Sequence, residues 1–266
     1  MVIEFLLGFF ISLFAGIIGS MVGIGGGIVI TPFLSYFNYL PSQISSTSLM
    51  AVFSTSLSSS FFYYRKKLLS KKIGLILSVS SIPGTYFGVI ISKLFSLSEF
   101  RFYFAFILIA TSIYLILKSK LKNKNHFNST NYHQVIVNKN DISLIKLLFI
   151  VISSFFAGIL SSSFGIGGGI IFVPSLIILL GFDMNQAAAT SQFALLFTSL
   201  SGLLIYIYYG FPDYFIGIVL SIGSLIGGSI GAKISPIVPS NILLKIFSAV
   251  LIIVSIKLLF DGFTLF

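Results

Sequence analysis

Two clusters of glycine stand in very apolar parts of this chain. The first lies in SMVGIGGGIVITP, residues 20–32, and the second in SSFGIGGGIIFVP, residues 162–174. A glycine inside a helix costs about 1 kcal/mol relative to alanine, so such a concentration needs a reason. Glycines allow close approach of backbone or ligand, and the start of a following helix presents unpaired N–H groups and the positive end of its dipole. We therefore predict an anion site built from Gly23, Gly25, Gly26, Gly27, Gly165, Gly167, Gly168 and Gly169.

The glycine clusters do not match the motifs that bind nucleotides. Neither has the spacing of a dinucleotide motif, and no Lys-Ser/Thr pair follows as a phosphate-binding loop requires. Tight packing of helices through small residues is the structural alternative, and for a single cluster it accounts for the glycines as well as an anion site does. Both copies, however, lead into a half-length apolar run with a proline, Pro32 or Pro174. In transporters built from repeats such half-helix ends meet near the middle of the membrane, which favours the anion site.

Polar side chains follow each glycine cluster at a similar distance. Thr47 and Ser48 belong to one such stretch, and Thr190, Ser191 and Gln192 to the other. We expect them in the first turns of the helices after the half-helices, where hydroxyls and helix N–H groups together bind the oxygens of an anion. Hydroxyls in membrane helices also bond back to their own helix or across to a neighbour, and the sequence leaves that alternative open.

The composition indicates a membrane protein. Of the 266 residues 56% are hydrophobic and 8% are charged, whereas a soluble domain has about 25% charged residues. A membrane span needs about 20 apolar residues. Such runs lie at about 2–22, 43–64, 73–93, 99–117, 144–164, 187–209, 213–233 and 241–260. We predict an all-α polytopic membrane protein with about eight transmembrane helices plus two short broken or re-entrant segments, at 28–40 and 170–181.

The chain also repeats itself. Residues 15–34 align without gaps on 157–176, with twelve identities in twenty positions. We predict two homologous halves, with 1–117 as the first transmembrane repeat, 118–143 as a cytoplasmic basic linker and 144–266 as the second repeat. Four crossings in each half would make the repeats parallel, and a fifth would invert them. The distribution of charge favours parallel repeats, but the sequence leaves both orientations open.

Basic residues predict the topology. The net charge is +10, and eleven of the sixteen Lys and Arg lie in residues 65–72 and 118–146. Such clusters beside membrane spans mark cytoplasmic loops, so the basicity reflects topology and not nucleic-acid binding. We predict a multi-pass protein of the cell (plasma) membrane with both termini cytoplasmic. The cations expected near the outer ends of their spans are Lys93, Arg101, Lys233 and Lys245.

The side chains of enzyme chemistry are scarce. The chain has no cysteine, and its six Asp and Glu all fall at span ends or in loops. Because an enzyme inside the membrane needs a nucleophile, a metal or an acid–base pair at depth, we expect a protein that is not an enzyme and has no cofactor or metal. The histidines, His126 and His133, lie in the polar linker, where we expect them to be solvated. No ionisable group for cation coupling is evident inside the spans.

The pattern as a whole resembles the TauE/SafE sulfite exporter family. Each half opens with a G-x-GGG segment and a proline, continues with a Thr-Ser pair and later carries a further glycine segment, PG-x-x-x-G at 83–88 or GG-x-x-G at 227–231. The resemblance covers almost all of the chain. It implies a secondary transporter of sulfite, sulfonates such as sulfoacetate or related sulfur-containing anions, moved outward. The glycine segments and the Thr-Ser pairs are the matching positions.

We therefore predict an exporter of a small sulfur-containing anion that works by alternating access between two repeats. The alternatives are a passive anion channel, a transporter of a different small anion and, in another class, a scaffold whose glycines serve only packing. The expected partners are the small anionic substrate and the lipid bilayer, with no nucleic acid. Assembly into a homo-oligomer is left open.

Overall fold

The computed structural model describes residues 2–37, 39–122, 143–239 and a few positions between 242 and 256. In that part of the chain every regular element is helical. The helices are α1 (Val2–Val22), α2 (Gly27–Leu34), α3 (Pro41–Arg65), α4 (Lys71–Leu94), α5 (Leu97–Lys122), α6 (Leu144–Phe164), α7 (Gly169–Leu179), α8 (Met184–Tyr208) and α9 (Tyr214–Ile234), followed by a 3-10 turn at Ser235–Ile237.

Five of the described helices, α1, α4, α6, α8 and α9, are long and apolar enough to cross a membrane. Helix α3 has the same 25-residue length as α8, but its serines and threonines make it less apolar. Most of those hydroxyl residues are buried against other helices. The helical membrane class is therefore confirmed, while the full number of spans and the division into repeats stay predictions. Most of the expected last run, 241–260, including Lys245, and most of the linker lie outside the described residues.

The two short segments form where the sequence predicts them. Helix α2 has 8 residues and α7 has 11, so both are shorter than the apolar runs that suggested them. Each begins directly after its glycine cluster and contains the expected proline. Neither is long enough to span a bilayer.

Contacts fix the directions of α1, α3 and α9. A side chain at Gly223, early in α9, would meet the Phe9 carbonyl of α1 at 2.6 Å, and the Ser235 hydroxyl just after α9 donates to the carbonyl of Met21 at 3.3 Å. These two helices are therefore parallel. Helix α3 runs the same way, because its Tyr63 hydroxyl, near its end, donates to the carbonyl of Ser20 near the end of α1 at 2.9 Å.

Helices α4, α6 and α8 run in the opposite direction. A short connection joins α3 to α4 and reverses the chain. A side chain at Gly84 of α4 would collide with the carbonyl of Phe155, and further along the Ser163 hydroxyl donates to the carbonyl of Gly88, so α4 and α6 are parallel. The Tyr206 hydroxyl of α8 donates to the Ser92 hydroxyl near the end of α4 at 2.6 Å.

These directions decide between the two orientations that the sequence left open. The alignment pairs α1 with α6, α3 with α8 and α4 with α9, and the members of each pair run in opposite directions. The arrangement is inverted, not parallel as the charges favoured. Each glycine segment turns the chain back into a short returning helix, so it adds the extra part-crossing that inversion requires.

Two expectations about which end of the bundle a residue occupies are wrong, because the aligned helices run in opposite directions. We call the end of the bundle that carries the connection 66–70 the basic end, and the other end the far end. Helix α1 starts at the far end, so Val2, the first described residue, lies away from the basic connection and not beside it. Lys233 lies at the basic end, where its carbonyl accepts a hydrogen bond from Lys66 Nζ at 2.8 Å. Lys93 and Arg101 lie at the far end, as expected.

Candidate anion site at the crossing of the glycine segments

The two glycine segments cross each other in direct backbone contact. A side chain at Gly27 would overlap the carbonyl oxygen of Gly165 and the backbone of Ile166. At the other side of the crossing, a side chain at Gly169 would overlap the carbonyl of Gly23 and the Cα of Ile24. Glycine is therefore required at 27 and 169 for close approach, and the two requirements correspond under the sequence alignment.

The centre of the crossing is filled by two aliphatic side chains. Gly25 and Gly167 have left-handed φ angles of 77° and 79°, which side-chain-bearing residues rarely adopt. An added Cβ at either glycine would lie 2.9 Å from Val52 Cγ1 and would also contact Leu195. Val52 is close to the midpoint of α3 and Leu195 close to that of α8. The crossing thus lies halfway along the long helices, the depth at which repeat transporters bind substrate.

Two of the predicted hydroxyls bind the crossing directly. The Ser48 hydroxyl donates to the carbonyl of Gly165 at 2.8 Å, and the Ser191 hydroxyl donates to the carbonyl of Gly23 at 2.5 Å. Both serines are fully buried. Each one therefore satisfies a backbone carbonyl that its glycine segment leaves without a helix partner.

The two predicted threonines accept hydrogen bonds from the residues that precede two other helices. Thr47 Oγ1 accepts the N–H of Asp213, the residue before α9, at 3.1 Å. Thr190 Oγ1 accepts the N–H of Ser70, the residue before α4, at 3.2 Å. The expectation that Thr47 and Thr190 lie in the first turns of α3 and α8 is wrong, because these helices begin at Pro41 and Met184, almost two turns earlier.

Gln192 makes the first glycine segment chemically different from the second. Its Nε2 donates to the carbonyl of Gly19 at 2.8 Å, and its Oε1 accepts from the Ser59 hydroxyl at 3.1 Å. The aligned position in α3 is Leu49, which is buried in an apolar cluster. The predicted glutamine therefore lies beside the crossing, on one side of it only.

Sequence reasoning missed a pair of buried tyrosines. Tyr63 and Tyr206 are separated by the same 143 residues as the Thr-Ser pairs, which is the signal that would have found them. Tyr63 donates to the carbonyl of Ser20, and Tyr206 donates to the carbonyl of Ser162 at 2.7 Å. Each tyrosine fixes the end of the helix that leads into a glycine segment.

The arrangement leaves two helix starts without side-chain caps at the crossing. Gly26 precedes α2 and Gly168 precedes α7, and among the described residues no side chain caps the first N–H groups of either helix. All of the predicted glycines are buried. The hydroxyls of Ser48 and Ser191 beside them are bonded to backbone carbonyls. In the described part of the chain no group of His, Cys, Asp and Glu could hold a metal ion.

A known protein family matches nearly the whole chain. The family described as Sulfite exporter TauE/SafE matches residues 8–258. The chain belongs to the TauE/SafE family. This confirms the resemblance inferred from the glycine and Thr-Ser segments, and it makes the protein a member of a family of membrane transporters.

Relatives of this TauE/SafE protein are named probable membrane transporter proteins. It is 31% identical over 262 residues to the probable membrane transporter protein YunE of Bacillus subtilis (strain 168), covering 95% of this chain and 96% of that protein. It is 26% identical over 230 residues to the probable membrane transporter protein YdhB of the same strain, covering 86% and 89%. The probable membrane transporter protein YfcA of Escherichia coli (strain K12) is 23% identical over 264 residues, covering 98% and 93%. No solved structure matches the chain.

Proposed function

We propose that this protein is a secondary transporter that exports a small sulfur-containing anion such as sulfite or an organosulfonate. The observation that carries the proposal is the pair of uncapped helix starts held against each other at the glycine crossing. Helix N-termini bind anionic oxygens through their N–H groups and dipoles. The family description supplies the sulfur chemistry, because it names sulfite export.

The proposed binding groups are the backbone N–H groups of the two glycine segments, assisted by the hydroxyls of Ser48 and Ser191. In the closed arrangement these hydroxyls donate to the carbonyls of Gly165 and Gly23. When the segments separate, the same hydroxyls are free to donate to the oxygens of the anion. Thr47 and Thr190 would then transmit the movement, because they bond to the residues that start α9 and α4.

Alternating access would come from rocking of one half against the other. The inverted directions of the aligned helices support this mechanism, since an inverted pair gives two related arrangements that open to opposite sides. The halves are interleaved: α1 packs along α9, and α6 packs along α4. Close packing along these pairs, which depends on Gly223, Gly227, Gly84 and Gly88, would make each pair move as one unit.

Flux measurements in liposomes test the proposed activity. Purified protein is first tested for thermal stabilisation by sulfite, sulfate, thiosulfate, sulfoacetate, phosphate and chloride, and the flux of the best anion is then measured. A transporter gives saturable flux that is accelerated by the same anion on the other side of the membrane. A passive channel gives unsaturated flux without that acceleration, and absence of both stabilisation and flux would contradict the proposal.

The site itself is tested by a pair of serine variants. Ser48→Ala with Ser191→Ala removes the hydroxyls next to the crossing, and we expect the affinity for the stabilising anion to fall about a hundredfold, in line with about 1.5 kcal/mol for each of two charge-assisted hydrogen bonds. Ser54→Ala is the matched control, because that hydroxyl bonds only to the carbonyl of Met50 in its own helix. Equal affinities in the double variant and the control would place the site elsewhere.

A further inference from the structure

Arg101 is a buried cation near the start of α5, with 9% of its surface exposed. One of its terminal nitrogens, Nη2, donates to the carbonyl of Ser35, the residue that ends α2. Its Nε is buried and has no hydrogen-bond partner. Removing a guanidinium from water costs several kcal/mol unless it is paired. Among the described residues, Arg101 therefore has fewer hydrogen-bond partners than a buried guanidinium needs.

The acids whose side chains the structure describes are engaged elsewhere. Glu99 accepts from Ser96, and Asp183 accepts from the N–H of Gln186 at the start of α8. Asp213 accepts the Tyr39 hydroxyl and caps α9. Among these carboxylates none is bonded to Arg101. The neutral carbonyl of Ser35 compensates only part of a full positive charge.

Arg101 also joins two helices that both contact a residue next to the glycine crossing. Ser35 lies one turn after Thr31, whose hydroxyl lies 3.0 Å from the carbonyl oxygen of Phe164, the residue before the second glycine segment. On the other side, Phe104 of α5 stacks on the ring of the same Phe164, with centroids 5.6 Å apart. Both elements that Arg101 joins, α2 and α5, thus contact the residue that leads into the crossing.

We propose that Arg101 forms a second anion site, at the far end of α2, and receives the oxyanion of the transported substrate as it passes that end. This inference rests on the proposed anion transport. The Ser35 carbonyl oxygen holds the guanidinium while the site is empty. An arriving sulfite or sulfonate displaces it and accepts two parallel hydrogen bonds from Nε and Nη2, the edge of arginine that pairs with two oxygens. Binding releases the end of α2 and so couples the far end to the crossing.

A purely structural role of Arg101 makes a different prediction. A cation near the end of a helix stabilises that end through its dipole, by about 0.3–1 kcal/mol, and a lysine does so as well as an arginine. That role does not involve Nε. Only the anion site requires the two-nitrogen edge that lysine lacks.

The experiment compares Arg101→Gln and Arg101→Lys with the wild type in saturable liposome flux of sulfite, together with melting temperatures in detergent with and without sulfite. We expect Arg101→Gln to raise the apparent KM about tenfold or more and Arg101→Lys to raise it several-fold, as for loss of charge-assisted hydrogen bonds. Lys93→Gln is the control. It removes one positive charge from the same end, but Lys93 is exposed and lies over the ring of Tyr209, so its KM should stay within about twofold.

An unchanged KM in both Arg101 variants, with a lower melting temperature, would overturn the anion site. Arg101 would then only stabilise the end of α2. An equal rise of KM in Lys93→Gln would also overturn it, because losing any positive charge at the far end would then raise KM, with no specific site at Arg101. If Arg101→Gln does not fold, the KM of Arg101→Lys decides. Failure of the wild type to transport or bind any sulfur oxyanion would instead refute the proposed function.

Discussion

Helices α2 and α7 begin at corresponding glycine segments but are held in place differently. On α2, the Thr31 hydroxyl lies 3.0 Å from both the Ser48 hydroxyl oxygen and the Phe164 carbonyl oxygen. The aligned residue of α7 is Val173, which is buried and apolar. The end of α2 is bonded to Arg101, whereas the residues that α7 buries are all glycine or apolar.

This comparison distinguishes contacts that both sides of the crossing need from hydrogen bonds that occur at only one of two aligned positions. Close backbone approach is present on both sides, at Gly27 and at Gly169, because the two segments cannot cross otherwise. Among the described residues, two polar contacts have no counterpart at the aligned position: those of Thr31 in α2, aligned with Val173, and of Gln192, aligned with Leu49. Backbone sterics thus impose the shared geometry, and hydrogen bonds distinguish two otherwise similar halves.

The largest effect is expected from adding a single methyl group at the crossing. Gly27→Ala and Gly169→Ala should be equally severe, since each Cβ would overlap backbone that cannot move aside, and overpacking costs about 1–3 kcal/mol or more. We expect loss of flux and a lower melting temperature for both. Gly8→Ala is the control, because its Cβ would meet only Leu220 and Phe33 at 3.6 and 3.7 Å. Tolerance of one variant but not the other would contradict the symmetric crossing.

A smaller effect is expected where the halves differ most. Gln192→Leu installs the residue that α3 has at Leu49, and it removes one hydrogen bond from the Gly19 carbonyl and one from the Ser59 hydroxyl. We expect a loss of about 2 kcal/mol in stability, measured by chemical or thermal unfolding in detergent. Gln186→Leu, on the same helix but only partly buried, should change stability much less. A Gln192→Leu protein as stable as the wild type would show that the first glycine segment does not need the hydrogen bonds of Gln192.

The smallest effect is expected from exchanging the aligned residues of the short helices. Thr31→Val removes one buried hydroxyl and should cost about 1 kcal/mol, because the Phe164 carbonyl loses its side-chain donor. Val173→Thr makes the converse change in α7 and should also destabilise, since it buries a hydroxyl in an apolar cluster. Stabilisation by Val173→Thr, seen as a higher melting temperature, would show that a polar group near α7 forms a hydrogen bond with the new hydroxyl.

Much of the local structure could be predicted from the sequence. The runs 2–22 and 144–164 coincide with α1 and α6, and the glycine clusters do begin two short helices. The positions of Thr47 and Thr190 could not be predicted, because α3 and α8 start earlier than their apolar runs suggest. Pro41 opens α3, and the Asp183 side chain caps α8 by accepting the N–H of Gln186, so a proline extends one helix and a capping carboxylate the other. The anion-binding role of the predicted residues stays a prediction.

The sequence by itself determined the membrane class, the approximate spans, the internal similarity and the family, since each depends on residue types or on their order along the chain. The tertiary structure alone decided that the aligned helices run in opposite directions, that Gly27 lies on Gly165, and that Arg101 is buried against the end of α2. The physical reason is that hydropathy and helix signals act between near neighbours in sequence. The crossing, in contrast, depends on backbone contacts between residues far apart in the chain, which no local pattern encodes.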